Sequence, residues 1–339
     1  MKEIVLTEGK KEATIETIYF GGGTPSLLET EELGSIILLL KDSFDISPEA
    51  EWSLEANPDD VTREKVLDWK GKGINRLSIG IQSFRDEDLR WMNRSHTALQ
   101  GMDCVRTAQD AGIGNISIDL IFGTPGLDNA SWQANIEKAL ALSVPHLSCY
   151  ALTVESKTAL HTLIRQQKKE SPDADLQAEQ YLLLMDMMKQ SGYDHYEISS
   201  FALPGMHSRH NTSYWNGEHY FGFGPSAHSF DGFSRTWNIA NNAAYIRSLD
   251  TGRIPSESEK LTETQQLNEY VMTAIRTAVG IDLDRVGARW GENQRERILR
   301  ESTTFITSGK ALHSSNHILL TRSGKLFADG IAAELFEDR

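Results

Sequence analysis

The run Ile18-Tyr19-Phe20-Gly21-Gly22-Gly23-Thr24-Pro25-Ser26 sets an apolar strand directly ahead of three glycines and a proline-kinked turn. Without Cβ atoms, Gly21 to Gly23 can adopt φ > 0 and leave backbone N–H and C=O groups open to a polar ligand, an amino-acid carboxylate or an amine among them. Later strand ends carry Glu55, Gln82 and Asp119, and Arg94 follows Gln82 by 12 residues as a cationic candidate. Bare backbone and Thr24 for an amino-acid end, carboxylates for hydroxyls or an ammonium, and Arg94 for a carboxylate together suit a zwitterion joined to a ribose. Taken singly, Glu55 and Asp119 serve equally well as buried, paired structural carboxylates.

For these groups to meet, a sheet must carry them. Short apolar runs open near Thr14, Glu51, Asn75, Asn115 and His146, separated by amphipathic segments at Thr30–Lys41, Thr62–Lys72, Asp86–Ala111 and Ala130–Leu142. This β-α-β-α alternation predicts an α/β fold with a parallel sheet, open or curled into a barrel, and places the candidate groups at strand C-terminal ends, where ligands bind in such folds. A further strand is expected over Tyr193–Ser199, after a helix at Ala174–Ser191. Period-two parity gives each strand one apolar face: Trp52 and Leu54; Leu77, Ile79 and Ile81; Ile116, Ile118 and Leu120; Leu147, Cys149 and Ala151. The opposite parity reads Ser53 and Glu55; Ser78, Gly80 and Gln82; Ser117 and Asp119; Ser148 and Tyr150. An ordinary (β/α)₈ barrel fills its lumen with Val, Ile and Leu. A polar inner face argues for a partial barrel around a polar ligand, or for an open sheet with hydrogen-bonded buried polar groups.

Bulk properties narrow the partners. The 339 residues accommodate one large α/β domain and a smaller one, and the net charge of −14 repels phosphate backbones. Nucleic acid is not expected as a partner. No apolar stretch approaches the ~20 residues needed to cross a bilayer, and no signal-peptide core opens the chain, so a cytoplasmic location is expected. Cys104 and Cys149 stand 45 residues apart, far from any metal-binding spacing, and read as small buried hydrophobes in a reducing compartment.

The segments Gly21-Gly22-Gly23-Thr24-Pro25, Leu54-Glu55-Ala56-Asn57-Pro58, Arg76 to Phe84 and Asn115 to Ile121 resemble the radical S-adenosylmethionine proteins of the oxygen-independent coproporphyrinogen oxidase group, from about Ile15 to the C-terminus. The resemblance implies a partial (β/α)₆ barrel. It also implies that Gly22, Gly23, Thr24, Glu55, Gln82, Arg94, Asp119 and Thr153 contact S-adenosylmethionine, Thr153 through its backbone alone.

A second run, His210-Asn211-Thr212-Ser213-Tyr214-Trp215, is similar to the H-N-x-x-Y-W signature of that group's heme-chaperone branch. An imidazole at His210 can ligate heme iron, Tyr214 and Trp215 offer flat faces to a porphyrin, and Asn211 can orient either. Three more histidines, His207, His219 and His228, and the aromatic turn Phe221-Gly222-Phe223-Gly224-Pro225 lie close in sequence. The bland alternative for His210 is a hydrogen-bonded loop residue.

Family members carry three cysteines at CxxxCxxC spacing in the loop after their first strand, and those thiolates hold a [4Fe–4S] cluster. This sequence has no such triplet. Met1 falls where the first helix of the family would run, so the first βα unit is expected to be missing and Ile15–Phe20 to form an unpaired edge. That predicts lowered stability or a longer parent chain, and no radical catalysis by the family's route from these residues. The expected domains are 1–240, a linker at 241–260, and a helical, winged-helix-like module over 261–339. In that module Thr262 and Gln265 have capping-box spacing, Leu267, Val271, Ile275 and Ala278 form a stripe ended by Gly280, and a strand pair Ala311–Thr321 and Leu326–Phe336 turns at Ser323-Gly324. Its 10 basic and 11 acidic residues argue against DNA binding and for a lid or docking role. The implied function is a carrier that binds heme and passes it to an acceptor protein. The alternatives are a fragment of a radical enzyme of porphyrin biosynthesis, or a cluster-free protein retaining S-adenosylmethionine.

Overall fold

Residues 1–7 and 13–337 are described by a computed structural model. The chain runs α1 (Lys2–Leu6), β1 (Ile15–Phe20), α2 (Thr30–Ser43), β2 (Ile46–Ala56), α3 (Arg63–Lys72), β3 (Arg76–Gln82), α4 (Asp86–Trp91), α5 (Ala98–Asp110), β4 (Ile116–Phe122), α6 (Asn129–Ala141), β5 (His146–Ala151), α7 (Ala159–Arg165), α8 (Ala174–Gln190), β6 (Asp194–Glu197) and β7 (Ser200–Ala202). It continues through α9 (Arg209–Asn216), β8 (His228–Phe230), β9 (Ser234–Asn238), α10 (Asn242–Asp250), β10 (Ser256–Lys260), α11 (Glu263–Ala274), β11 (Ile281–Asp282), α12 (Leu283–Trp290), α13 (Glu292–Thr307), β12 (Ala311–Ser314), β13 (His317–Leu320) and α14 (Ala328–Glu334). Two compact units result: one from Met1–Thr17, Glu31–Ala50 and Arg209–Arg339, the other from Ile18–Thr30 and Glu51–Ser208.

A seven-stranded sheet in the order β1-β2-β3-β4-β5-β7-β6 underlies the second unit, with β2, β3, β4 and β5 parallel to one another and β1 at one end. The α/β reading therefore holds. The apolar parity is the helix-facing one: Leu54, Leu77, Ile79, Ile81, Ile116, Ile118, Leu120 and Leu147 are fully excluded from solvent. The helices start where short polar side chains satisfy orphan N–H groups. Thr62 accepts from Lys65 ahead of α3, Asp128 from Ser131 ahead of α6, and Thr97 forms a capping box with Gln100 ahead of α5. That box splits the helix expected over Asp86–Ala111 into α4 and α5, with Asn93 at φ 57° in the break. The strand expected at Tyr193–Ser199 is present as the shorter β6, and a further strand, β7, follows it, antiparallel to both β5 and β6.

The first unit contains two three-stranded antiparallel sheets, β10-β9-β8 and β11-β13-β12. Residues 241–260, expected as a linker, carry α10 and β10. The capping box at Thr262 and Gln265 starts α11, and Leu267 and Val271 of the expected stripe are buried. The helix stops at Ala274 rather than running to Gly280, which instead lets the backbone at Ile318 pass: a Cβ there would fall 2.2 Å from the Ile318 oxygen. The terminal hairpin turns at Ser315 and Asn316, both at positive φ (48° and 65°), not at Ser323-Gly324. Beyond it the chain is helical. Ala328, Ile331, Ala332 and Leu335 are buried at helix spacing, a stripe that a period-two reading mistakes for a strand.

Gly222 marks the tightest approach near the aromatic turn. A Cβ there would lie 2.0 Å from the backbone oxygen of His228, while the Gly222 N–H donates to Ser229 Oγ at 2.9 Å. Backbone cannot swing aside as a side-chain tip can. Gly222→Ala is expected to cost about 1–3 kcal/mol, read as a lowered urea midpoint. A wild-type midpoint would mean that this crossing has slack.

Candidate functional site

The second unit builds its site around the triple glycine. A Cβ on Gly21 would fall 2.4 Å from Tyr19 Cε1 and 3.0 Å from Glu55 Oε1, so only glycine lets the strand leave beside these side chains. Gly22 and Gly23 sit at φ +79° and +77° with nothing within 4 Å of where their Cβ atoms would point. Their backbone is thus open on that side. The Tyr19 hydroxyl donates to Glu55 Oε1 at 2.7 Å, and the Gly22 N–H donates to Glu55 Oε2 at 3.2 Å. Burial, then the Glu55 charge, pushes the Tyr19 phenol far above its usual range, which keeps it a donor. Thr24 follows, half-buried, at the start of the single turn Pro25–Leu27.

Gln82 ends β3 at φ 65°, beyond a register shift between Ile79 and Gln82 against β4. The space a Cβ on Gly80 would take is occupied by Gln82 Nε2 at 2.8 Å and Arg94 Nη2 at 3.5 Å. That guanidinium donates to Asn57 Oδ1 at 3.0 Å and to the Gly80 carbonyl at 3.3 Å. Asp119 lies opposite Ser148 in the β4–β5 register. Burial pushes its carboxyl up to about 7; the Ser148 hydroxyl opposes the rise, Glu55 adds to it, and Arg76 and Arg94 oppose it. Glu55, Gln82, Arg94 and Asp119 thus share one electrostatic neighbourhood above the strand ends. Thr153 stands exposed two residues beyond β5, outside the hydrogen bonds just described.

Two contributors were not singled out from the sequence, Tyr19 and Asn57. Tyr19 shares strand parity with Gly21, and Asn57 stands two residues beyond Glu55, which were the only signals available. A separate polar group is buried among Arg76, Ser117, His146 and Tyr196. His146 Nδ1 and Ser117 Oγ are 2.7 Å apart, as are His146 Nε2 and the Tyr196 hydroxyl. Burial, then the positive Arg76, holds this imidazole well below its usual range and therefore neutral.

The donor set fits S-adenosylmethionine: open backbone for an amino-acid end, two carboxylates for hydroxyls or ammonium, a guanidinium for a carboxylate. It does not fit a [4Fe–4S] cluster. Cys104 and Cys149 are both buried, burial raises both thiols, Cys104 to about 12, and no group of three or more His, Cys, Asp or Glu among the described residues can hold a metal ion.

In the first unit the His210 run is a helix, not a loop. Arg209 pins the start of α9 by donating to the Glu49 carbonyl at 2.5 Å and to Glu16 Oε2 at 2.6 Å. His210 Nδ1 lies 3.0 Å from Thr17 Oγ1 on β1. Four-residue spacing puts Tyr214 on the same face, its ring 5.1 Å from the His210 ring at 77°. Asn211 and Trp215 form a second i,i+4 pair, both half-buried, while Tyr214 is exposed and leans on Tyr220 with centroids 4.6 Å apart. The other histidines have separate surroundings. His207 stacks on Tyr196 and meets Asp194 in the second unit, His219 lies edge-on to Phe230, and His228 lies against Trp237. Phe221 and Phe223 pack on Phe44.

Known proteins resemble this chain. A model of the radical SAM superfamily matches residues 2–139. The heme chaperone HemW of Bacillus subtilis (strain 168) is 34% identical over 322 residues, spanning 94% of this chain and 84% of its own length. HemW of Lactococcus lactis subsp. lactis (strain IL1403) is 32% identical over 300 residues, 88% of this chain and 79% of its own. Among solved structures, the radical SAM enzyme coproporphyrinogen III oxidase of Escherichia coli superposes with a TM-score of 0.83 over 99% of this chain and 81% of its own, at 20% identity. That likeness concerns the fold, a curled, half-barrel parallel sheet with a helical C-terminal part. With the glycine run, the polar strand ends and the His210 helix in place, and with relatives of this identity along nearly the whole chain, the protein belongs to the radical S-adenosylmethionine superfamily, in its HemW heme-chaperone family.

Proposed function

We propose that this protein is a heme carrier that binds heme on α9 through His210 and delivers it to an acceptor protein. The observation that carries the reading is the anchored imidazole: Thr17 engages Nδ1 of His210, and Tyr214 stands edge-on beside the ring on the same helix. Hydrogen bonding at one imidazole nitrogen orients the other and strengthens it as a ligand. Tyr214 and Trp215 supply apolar faces for the macrocycle, and Asn211 a polar contact beside the ring. A site on a helix that has no fully buried residue suits transfer, because the acceptor can approach the heme edge without the carrier unfolding. No helix among the described residues is long and apolar enough to cross a membrane.

In the second unit, Gly22, Gly23 and Thr24 would receive the amino-acid end of S-adenosylmethionine, Glu55 and Asp119 its hydroxyls or ammonium, Arg94 its carboxylate, and Gln82 and the Thr153 backbone the remainder. Bound together with a [4Fe–4S] cluster, S-adenosylmethionine supplies a deoxyadenosyl radical in this superfamily. These residues hold and orient the ligand, and Tyr19 keeps its proton and fixes Glu55.

Titrating hemin into the purified protein tests the carrier reading. The wild type should develop a shifted Soret band. His210→Ala should lose that shift and bind at least ~10-fold more weakly, a loss of about 1.4 kcal/mol or more. Equal Soret shifts in both proteins would remove His210 from the role.

A further inference from the structure

The first unit holds a cavity of about 380 Å³ lined by Tyr214 of α9, the segment after it, β8, β9, α11 and α12. Its size is within the ~300–1,000 Å³ of small-molecule sites. Tyr214, Tyr220, Phe230, Phe233, Tyr270 and Trp290 line it, an aromatic content suited to a flat, conjugated ligand. Three lining side chains are also among the protein's exposed large apolar residues: Phe233 at 60%, Tyr214 at 45% and Met272 at 42%. A folded protein that leaves three such groups converging on one opening presents a ligand surface.

The charges in the wall specify the ligand further. Three arginines face two glutamates, Glu218 and Glu269. Arg235 is paired with Glu269 and Glu259. The other two guanidinia are held by neutral oxygens and rings: Arg285 reaches the Asn216 carbonyl at 3.4 Å and lies 4.7 Å above the Tyr270 ring, and Arg289 donates to Gln266 Oε1 at 2.8 Å and lies 4.9 Å above Trp290. They stand one helical turn apart on α12, on the same face. Such a pair matches two carboxylates projecting from one edge of a planar body, and arginine recognises carboxylates by two parallel N–H···O bonds.

We propose that this cavity is the porphyrin-binding site, with the macrocycle between the aromatic walls and its two propionates on Arg285 and Arg289. The inference rests on the carrier reading and deepens it. His210 stands outside the cavity wall, one helical turn from Tyr214; iron ligation there is one contact, and recognition of the porphyrin dicarboxylate, independent of the metal, is a second one supplied by α12. Tyr214 belongs to both, since it faces His210 on its own helix and forms part of the cavity wall.

Metal-free protoporphyrin IX separates the two contacts. Binding is measured by porphyrin fluorescence, alongside hemin by its Soret band, for the wild type, His210→Ala, the double variant Arg285→Gln/Arg289→Gln, and Phe233→Asp, each with a thermal melt to verify folding. His210→Ala should weaken hemin but leave protoporphyrin within about twofold, since no iron bond is lost. The double variant should weaken both at least ~10-fold. Phe233→Asp should weaken both, and the dimethyl ester of protoporphyrin should bind the wild type as poorly as the free acid binds the double variant. Wild-type affinity of a folded double variant for both ligands would overturn the cavity assignment while leaving the carrier reading intact. A wild type that binds neither ligand would overturn the carrier reading, and this inference with it.

Discussion

Glu3→Ala is expected to lower the stability of the first unit by roughly 3 kcal/mol or more, since buried donors stripped of their acceptor cost about 1–3 kcal/mol each. Glu3 is only 4% exposed, yet it is a carboxylate on the short helix α1. It is tolerated there because it accepts from the Gly224 N–H at 2.7 Å, from Asn238 Nδ2 at 2.5 Å and from the Tyr245 hydroxyl. Burial, then the hydrogen bond to Glu3, pushes the Tyr245 phenol well above its usual range, so it remains a donor. Alanine would leave the Gly224 N–H and the Tyr245 hydroxyl buried without this acceptor, while Asn238 keeps its bond to the Gly224 carbonyl at 2.9 Å. Glu3→Gln, which keeps one acceptor oxygen, should cost about half as much. Urea unfolding followed by far-ultraviolet circular dichroism reads the effect; a midpoint equal to the wild type would show the three bonds to be worth nothing net. The same substitution should weaken hemin binding, because Gly224 closes the aromatic turn that follows Tyr220, the neighbour of Tyr214.

Asp119→Asn should act in opposite directions on stability and on ligand binding. The carboxyl is pushed up to about 7 in the folded protein, against ~3.9 in an unfolded chain. Between those values the folded protein holds a proton that the unfolded chain has released, so the stability this group contributes is fully present below about pH 4 and falls as pH rises to about 7. At ~1.4 kcal/mol per unit the ceiling on the penalty is about 4 kcal/mol, and water reaching this partly buried side chain reduces it to roughly 2. Asparagine has no charge to desolvate. The variant should therefore be more stable than the wild type by about 2 kcal/mol at pH 8 and equal to it at pH 4, while binding S-adenosylmethionine at least ~10-fold more weakly for lack of a carboxylate. Unfolding curves at the two pH values and calorimetry with S-adenosylmethionine check both halves. A stability gain of the same size at pH 4 would mean that ionisation is not its source.

Much of the second unit is legible in the chain because its signals are local and repeated. Strand parity in β2 to β5 follows from two-residue alternation, the helix opening at Thr62 follows from its amphipathic spacing, and the glycine run needs no distant partner to declare an open turn. Failures occurred where local pattern was ambiguous. The stripe Ala328, Ile331, Ala332 and Leu335 was read as a strand because a short apolar segment fits either period. The hairpin turn went to Ser323-Gly324 because glycine advertises positive φ more loudly than Ser315-Asn316, which adopt it instead.

The chain by itself singled out the candidate residues: the triple glycine, the polar strand ends, and the histidine and aromatics of the 210–215 run. Only the tertiary structure decided what each of them touches. Thr17 beside His210 is 193 positions away in sequence, and the Glu3 partners lie more than 220 residues from it. Arg285 and Arg289 join Tyr214 in one cavity only after α11 and α12 have packed. The physical reason is that side-chain type and spacing act over a few residues, whereas burial, the shift of the Asp119 carboxyl and the steric limit at Gly222 are properties of neighbours brought together from distant parts of the chain.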